Sequence, residues 1–365
     1  MENLLESPPA PPRFKDEFYK ETDRMRRWQK TVAATALVLG VLLSAGITAT
    51  IGWTPFFGPK ARPLTDRRIE PSAARLERGE YLVRSVAGCL FCHSEVDTST
   101  RGLPLTAGRA GVGRSFEAEE MPWLVTSNIT SDPDTGAGKW SDDALARAIR
   151  EGIGHDGRTL FPMMPYQNYR MMSDQDLASV VTYIRTLAPV RQEHPATAVP
   201  FPVNRLINSV PQPLDRAVPE PDLSTVEKRG QYLTTIASCA DCHTPRDDKG
   251  APLPGFAFAG GNVLGYKGAR EPKAAANLTQ APNGIPYYDE NLFLEVIRTG
   301  RVREREISDV MPWALYRNMK DEDLKAIFAY LKTVTPVDHY VDNALPPTRC
   351  AKCNIEHGGG ERNKK

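Results

Sequence analysis

Cysteine spacing constrains this 365-residue chain more than any other feature of its sequence. All six cysteines fall in C-x-x-C pairs, and the first two pairs are each followed directly by a histidine, as Cys89-Leu-Phe-Cys92-His93 and Cys239-Ala-Asp-Cys242-His243. The third pair, Cys350 and Cys353, is followed by asparagine. Chance would seldom place two C-x-x-C-H motifs in a chain with so few cysteines and histidines, so the signal is specific.

The C-x-x-C-H motif is the signature of covalent haem attachment, in which two thiols form thioethers and the histidine binds the iron. We therefore expect two covalently bound haem c groups, with His93 and His243 as proximal iron ligands. The thiols expected to carry the haems are Cys89, Cys92, Cys239 and Cys242. Attachment needs reduced cysteines and machinery that in bacteria lies outside the cytoplasmic membrane, so this part of the chain is expected in the periplasm.

The second half of the sequence repeats the first half in the same order, with small deletions. The pattern R-G-x-Y-L at residues 78–82 recurs at residues 229–233. Residues 164–190 match residues 311–337 without a gap, and almost half of these positions are identical. Two homologous domains are the simplest explanation.

The repeat selects one methionine in each half as a second iron ligand. A thioether is a soft, neutral ligand that favours ferrous iron and raises the reduction potential. Met164-Pro aligns with Met311-Pro in the gapless block, whereas Met121-Pro precedes Asn128-Ile-Thr and falls out of register. We expect Met164 and Met311 to bind the irons opposite the histidines. No position would then stay open for oxygen, peroxide or substrate.

The remaining polar candidates are less informative. Asn128 and its counterpart Asn277 either reach haem propionates or form turns, and the sequence leaves both interpretations open. His155 lies in a Gly-His-Asp-Gly sequence typical of an exposed turn. His194 and His339 follow the terminal helices and receive no role.

Each half is expected to end in an amphipathic helix whose apolar residues recur at i, i+3, i+4, i+7 and i+10. These residues are Leu177, Val180, Val181, Ile184 and Leu187 in the first half, and Leu324, Ile327, Phe328, Leu331 and Val334 in the second. Further helices are expected around residues 144–151 and 292–298. The terminal helices are expected to begin near possible capping residues, at Ser173 and Asp174 in the first half and at Lys320 and Asp321 in the second. The predicted fold class is all-α.

An uncharged apolar stretch, Thr31 to Ile51, is long enough to cross about 30 Å of hydrocarbon as a helix. We interpret it as a single membrane anchor. A cleaved signal peptide is the alternative, although the polar leader is long and no clear small-x-small cleavage site follows. Basic residues flank both sides, so the expected periplasmic orientation depends on the haem chemistry.

Two proline-rich segments are expected to lack regular structure. Residues 53–73 are predicted to form an extended tether. Residues 188–222 contain eight prolines and are predicted to strap the two domains together. The apolar side chains of Phe201, Val203, Leu206 and Ile207 in that strap are expected to pack.

These features resemble a tandem of class I cytochrome c domains. More narrowly, the sequences Gly138-Lys-Trp-Ser-Asp-Asp and Phe161-Pro-Met-Met-Pro-Tyr resemble the cytochrome c subunits of membrane-bound alcohol and gluconate-type dehydrogenases. Those subunits resemble a three-haem chain, whereas this sequence has two complete motifs and an N-terminal anchor. The implied organisation is a cytoplasmic leader (1–30), a transmembrane helix (31–52), a tether (53–73), cytochrome c domain 1 (74–190), a connector (191–222), cytochrome c domain 2 (223–340) and a tail (341–365).

The leading hypothesis is a non-enzymatic electron carrier in the bacterial cytoplasmic membrane, with its haem domains in the periplasm. It would exchange electrons with a quinol-oxidising complex, dehydrogenase, oxidase or soluble cytochrome. Alternatives are a dihaem peroxidase, which needs an open iron site, and a structural haem subunit of a larger complex. Lysine plus arginine (46) balance aspartate plus glutamate (45), so charge gives no support for nucleic-acid binding.

The third cysteine pair has the haem spacing without the histidine. The favoured interpretation is that Cys350 and Cys353 form a disulfide or remain free thiols. The disulfide is plausible because periplasmic thiols oxidise. Metal binding together with His357 is the second possibility, although three ligands leave a zinc site one short. Haem attachment comes last.

Overall fold

The computed structural model describes residues 14–116, 121–248, 250–265 and 272–364. The chain divides after Phe57 into two compact units, each described by itself. The part of the expected leader before residue 14 lies outside the described residues.

The first unit consists of a long helix α1 (Phe14–Thr50) and a short helix α2 (Thr54–Phe57). Within α1, the span Tyr19–Thr50 is long and apolar enough to cross a membrane. The helix begins well before the apolar stretch, so the leader from residue 14 onward is helical too. It ends ahead of Gly52, whose φ of +68° is the left-handed conformation in which glycine commonly terminates helices.

The first half of the second unit (residues 73–190) is built from short helices. They are α3 (Ala73–Tyr81), α4 (Cys89–Cys92), α5 (Asp142–Glu151), α6 (Tyr166–Tyr169) and α7 (Asp174–Ile184). A π-helical turn, Leu82–Val86, continues α3. The hydroxyl of Ser173 accepts a hydrogen bond from the Asp176 amide at 3.1 Å, which confirms the predicted start of α7.

The connector departs from the predicted irregular structure, because a short helix α8 (Val203–Leu206) and a 3-10 turn (Ile207–Ser209) interrupt it. The expected apolar packing is wrong for three side chains: Phe201, Val203 and Leu206 are 80%, 41% and 44% exposed. Polar contacts hold the strap instead. The Thr159 hydroxyl, for example, donates to the side-chain oxygen of Asn208 at 2.7 Å.

The second half (residues 223–340) repeats the order of helices. They are α9 (Val226–Ile236), α10 (Cys239–His243), α11 (Glu290–Thr299), α12 (Trp313–Tyr316) and α13 (Asp321–Thr333). Asp289 caps α11 by accepting from the Leu292 amide at 2.8 Å. Helix α13 begins at Asp321 as expected, but Lys320 at the cap position provides no side-chain hydrogen bond.

Short antiparallel strand pairs correct the prediction of a purely helical fold. The pairs are β1 (Arg114–Ser115) with β2 (Val125–Thr126), β3 (Val263–Leu264) with β4 (Lys273–Ala274), β5 (Arg301–Val302) with β6 (Arg305–Glu306), and β7 (Pro347–Arg349) with β8 (Glu356–Gly358). The described chain is therefore mainly helical, with small hairpins in its loops and tail.

In both halves the terminal helix crosses the first helix at a glycine. A Cβ atom on Gly79 of α3 would overlap the Ser179 carbonyl of α7, and one on Gly230 of α9 would overlap the Ala326 carbonyl of α13. The periodic apolar residues of α7 and α13 are buried as predicted, from Leu177 to Leu331. Val334 is half-buried against the same core.

Helix α5 holds both proline-rich segments through its buried acidic residues. Arg62 of the tether forms a two-pronged ion pair with Asp143, at 2.7 and 2.8 Å, and its Nε lies 2.8 Å from Glu151. The other carboxylate oxygen of Glu151 accepts from the Leu214 amide of the connector at 3.2 Å. The prediction of an extended tether over residues 53–73 is wrong for its first part, where α2 occupies Thr54–Phe57. From Arg62 onward the segment has no regular secondary structure up to α3 and packs on the first half.

Candidate functional site

Each C-x-x-C-H motif forms one helical turn behind a residue in the left-handed conformation. Gly88, with φ +67°, precedes α4, and Ser238, with φ +58°, precedes α10. In the first motif the His93 amide donates to the Cys89 carbonyl at 2.9 Å. Because residues three apart share a helix face, the two thiols of each motif project from the same side.

The two motif histidines are fixed by equivalent hydrogen bonds. The Nδ1 atom of His93 lies 2.7 Å from the Ser127 carbonyl, and that of His243 lies 2.8 Å from the Ala276 carbonyl. A carbonyl can only accept, so Nδ1 carries the proton and Nε2 presents a lone pair. Burial lowers the pKa of both imidazoles, which keeps them neutral. A neutral imidazole held by its other nitrogen is the usual form of a metal ligand.

The motif cysteines are free thiols in this structure. Burial raises the pKa of Cys89 and of Cys239 to about 12 and that of Cys242 to about 11. Reduced thiols beside a fixed imidazole are the groups that covalent haem attachment requires. The residues of both motifs therefore fit the group that the sequence predicts.

The Met-Pro turns adopt the same conformation in both halves. Pro165 has φ −82° and ψ 49°, and Pro312 has φ −77° and ψ 49°. Met164 and Met311 are half-buried against the hydrophobic core. Their roles as iron ligands remain predictions.

The other methionines occupy different environments. Met172 and Met319 are buried in the core at 1% and 2% exposure, whereas Met163 and Met171 are exposed. Met121, the out-of-register alternative, is half-buried. Core packing therefore accounts for Met172 and Met319, and exposure distinguishes Met163 from its neighbour Met164.

Asn128 and Asn277 form hydrogen bonds within the protein, which favours the turn interpretation over a contact with haem propionates. The side-chain oxygen of Asn128 accepts from the amide and hydroxyl of Thr130 at 2.9 and 2.7 Å, and its Nδ2 donates to the Val190 carbonyl at 2.9 Å. Asn277 repeats this pattern with Thr279 and Val337. Both side chains are buried and engaged with protein atoms.

Two tyrosines that the sequence analysis left without a role link the two halves reciprocally. The Tyr81 hydroxyl of α3 donates to Asp323 of α13 at 2.5 Å, and the Tyr232 hydroxyl of α9 donates to Asp176 of α7 at 2.7 Å. The signal was present in the sequence, since both tyrosines belong to the repeated R-G-x-Y-L pattern.

Both cysteine motifs lie where the two halves meet. Gly88, which precedes the first motif, packs against Leu315 of α12, since a Cβ on Gly88 would lie 2.5 Å from the Leu315 side chain. Asn168 of α6 also donates to Asp241, inside the second motif, at 2.7 Å. The two candidate sites therefore face a common interface within one compact unit.

Three of the histidines outside the motifs lie in different environments. His155 is exposed, as predicted, and stacks on Trp140 with ring centroids 4.3 Å apart. The Nε2 atom of His194 lies 2.7 Å from the Val112 carbonyl. His339 is fully buried beside the third cysteine pair, a position that the sequence analysis did not foresee.

One protein family and several known proteins are similar in sequence to this chain. The cytochrome c family model matches residues 227–335. A component of the nicotinate dehydrogenase of Pseudomonas putida is 33% identical over 74% of this chain and 22% of its own length. The fructose dehydrogenase cytochrome subunit of Gluconobacter japonicus is 28% identical over 91% of this chain and 64% of its own length. A diheme cytochrome c-type protein of Cereibacter sphaeroides is 28% identical over 72% of this chain and 86% of its own length.

This chain spans less than two thirds of the length of the first two of these relatives. The matched region includes the second C-x-x-C-H motif, its fixed histidine and the Met-Pro turn. The chain therefore contains a cytochrome c domain and is a homologue of the cytochrome c subunits of fructose, alcohol and gluconate dehydrogenases.

Proposed function

We propose that this chain is a membrane-anchored dihaem c-type cytochrome, made of two tandem class I cytochrome c domains at residues 74–190 and 223–340. It transfers electrons without catalysing a reaction on a substrate. The observation that carries the proposal is that both C-x-x-C-H turns have the same backbone form, each with its histidine Nδ1 held by a loop carbonyl. A bound haem supplies a one-electron couple at each site.

The chain's own residues have distinct roles in this proposal. Cys89 with Cys92, and Cys239 with Cys242, hold the two haems covalently. The Nε2 atoms of His93 and His243 would each hold one iron, with Met164 and Met311 as the second protein ligands. With two protein ligands for each iron, small oxidants would be excluded, and electron transfer would be the available chemistry.

Internal electron transfer is supported by the contact between the halves. The reciprocal tyrosine–aspartate hydrogen bonds and the Asn168–Asp241 contact hold the two sites in one arrangement. Electrons can then pass between the sites without a domain movement.

The proposed location is the periplasmic face of the bacterial cytoplasmic membrane, with α1 as a single-pass anchor. A dehydrogenase is the proposed electron donor, because several relatives are named as cytochrome subunits of dehydrogenases. The electron acceptor would be an oxidase or a soluble cytochrome, and a quinol-oxidising complex is the alternative donor.

Haem counting tests the proposal. The full chain, produced in a host that attaches haem c, should carry two covalent haems by mass spectrometry and pyridine haemochrome absorption. C92S and C242S should each weaken covalent attachment at one haem only, whereas C353S should retain both. Fewer than two covalent haems in the wild-type chain would contradict the proposal.

Ligand binding separates a carrier from a peroxidase. Both resting haems should be low-spin and should not bind carbon monoxide readily in the ferrous form. A high-spin haem with peroxide turnover would overturn the carrier proposal. Mild detergent extraction followed by native electrophoresis and mass spectrometry should recover a dehydrogenase subunit with this chain.

A further inference from the structure

The tail folds back as a hairpin that carries the third cysteine pair at its turn. Strand β7 pairs with β8 so that Thr348 lies opposite His357. The Cys350 amide donates to the Ile355 carbonyl at 3.0 Å, and Asn354, with φ +61°, closes the turn. This geometry places Cys350, Cys353 and His357 on one short hairpin, with Cys350 and Cys353 in the turn and His357 in β8.

A fourth side chain joins them from outside the hairpin. The donor atoms of His339, Cys350, Cys353 and His357 all lie within 4.8 Å of one another. The four residues are 0%, 1%, 3% and 1% exposed. The tail sequence offers three possible ligands, and the structure adds His339 from the segment that follows α13.

Both imidazoles are oriented with Nε2 toward the cluster. The Nδ1 of His339 lies 2.9 Å from the Ala259 carbonyl, and its Nε2 lies 3.4 Å from the Cys350 sulfur. The Nδ1 of His357 lies 3.2 Å from the Gly358 carbonyl. The His357 Nε2 is buried and has no hydrogen-bond partner among the described residues. A buried polar atom without a partner is costly, and a bound cation would satisfy it.

The cysteines are arranged as sulfur ligands rather than as a disulfide. Both are free, and the Cys350 sulfur accepts a hydrogen bond from the Cys353 amide at 3.4 Å. The neighbouring backbone leaves room for the His339 imidazole because residue 261 is glycine. A Cβ there would lie 2.7 Å from Cε1 of His339 and 3.5 Å from Cδ2 of His357.

We propose that His339, Cys350, Cys353 and His357 bind one zinc ion in a closed structural site. Two thiolates and two neutral imidazoles are a common zinc ligand set, and four protein ligands leave no open position. Ideal tetrahedral zinc, with bonds of about 2.0 to 2.3 Å, separates its ligand atoms by about 3.3 to 3.8 Å. The clustered donor atoms can reach these separations with small side-chain adjustments.

The proposed ion would tie the tail to the loop behind the second C-x-x-C-H motif. Ala259, which accepts from His339, is followed by Gly260, whose amide donates to the His243 carbonyl at 2.7 Å. The His339 carbonyl also accepts from Asn277 at 3.0 Å. The zinc site would therefore brace the backbone around His243.

Elemental analysis of the full-length holoprotein tests this inference. After extensive dialysis in metal-free buffer, the wild-type chain should contain one zinc for every two irons. X-ray absorption at the zinc edge should show two sulfur and two nitrogen neighbours. Zinc that dialyses away, another metal at one per chain, or a Cys350–Cys353 disulfide in the native protein would overturn the proposal.

Matched variants localise the ion. C353S and H357A should lower zinc from one per chain to near zero while both covalent haems remain. H194A is the control, because His194 also follows a terminal helix and contacts a loop carbonyl but lies outside the cluster. If either cluster variant retained full zinc, the ligand assignment would be wrong. Should the variants fail to fold, the wild-type zinc content and absorption spectrum still decide the matter.

Discussion

Single methionine replacements test the iron-ligand assignment one haem at a time. In M164A, one haem should lose its low-spin spectrum and its reduction potential should fall by on the order of 0.1 V, since axial ligands control a range of about 0.8 V. M311A should do the same to the other haem. Both covalent haems should remain attached, as measured by spectroelectrochemical titration and mass spectrometry.

Met171 provides the control for this experiment because it is 61% exposed. M171A should leave both haem spectra and both potentials unchanged. If M164A also had no effect, the assignment would be contradicted, and Met121 or Met163 would become the candidate in the first domain.

Arg62 is expected to contribute to stability through two buried carboxylates. Asp143 and Glu151 have side chains only 2% and 3% exposed, and both contact this guanidinium. R62A should lower the free energy of unfolding by about 3 kcal/mol, because it leaves buried charges unpaired. Urea denaturation followed by circular dichroism measures the change, and R68A, at an exposed position of the same segment, should change stability by less than about 0.5 kcal/mol.

The Arg62 effect should depend on pH. Burial alone would raise the pKa of Asp143, but hydrogen bonds from Arg62 and Thr65 outweigh it and lower that pKa. A carboxyl with a lowered pKa in the folded state stabilises the protein above its unfolded pKa, about 3.9, and this contribution is lost as pH falls through the folded pKa. The stability difference between wild type and R62A should therefore shrink below about pH 4. A difference that grew on acidification would contradict this role for Asp143.

Residue types with strict local spacing were the most predictable from sequence. The cysteines and histidines of each haem motif lie within five consecutive residues, and the structure needs only one helical turn to bring them together. His339 was not predictable in the same way, because 10 residues separate it from Cys350 and only the folded hairpin brings them into contact. The register of the repeat places Gln192 opposite His339, so the repeat gave no indication of a metal ligand there.

Among secondary-structure elements, the long periodic helices followed from the sequence and the small hairpins did not. The apolar spacing of α7 and α13 matches their buried faces, since that spacing reflects the helix period itself. The strand pairs are only two or three residues long, too short to show alternation. The connector was predicted to pack through apolar side chains, but hydrogen bonds to the Thr159 hydroxyl and the Glu151 carboxylate hold it.

Because helices of the two halves are joined by two equivalent hydrogen bonds, removing either bond should have a similar effect on stability. Y81F removes the hydrogen bond from α3 to Asp323, and Y232F removes the bond from α9 to Asp176. Each change should lower the free energy of unfolding by about 1 to 2 kcal/mol, since each hydroxyl donates to a carboxylate. Urea denaturation of the holoprotein measures both effects, with the exposed Tyr287 replaced by phenylalanine as control. Equal stability of Y81F, Y232F and Y287F would argue against an interface held by these bonds.

At the scale of the whole molecule, the division after Phe57 predicts that the anchor helix α1 can be separated from the unit that contains the C-x-x-C-H motifs. A chain starting at Gly58 behind a cleavable export signal should appear in the soluble periplasmic fraction with both haems and unchanged spectra. The reason is that α1 contains the one span among the described residues that is long and apolar enough to cross a membrane. Cell fractionation with haem-stained gels measures the outcome, and retention of the shortened chain in membranes would contradict α1 as the sole anchor.

The reciprocal tyrosine–aspartate hydrogen bonds between the halves also suggest how such a chain could arise. In a two-fold dimer, residue i of one copy contacts residue j of the other, and the reverse contact follows automatically. Duplication and fusion of a single domain that self-associated through this surface would produce the same reciprocal pattern. Once joined, the copies were free to diverge, as His339 illustrates, since the register of the repeat places Gln192 opposite it.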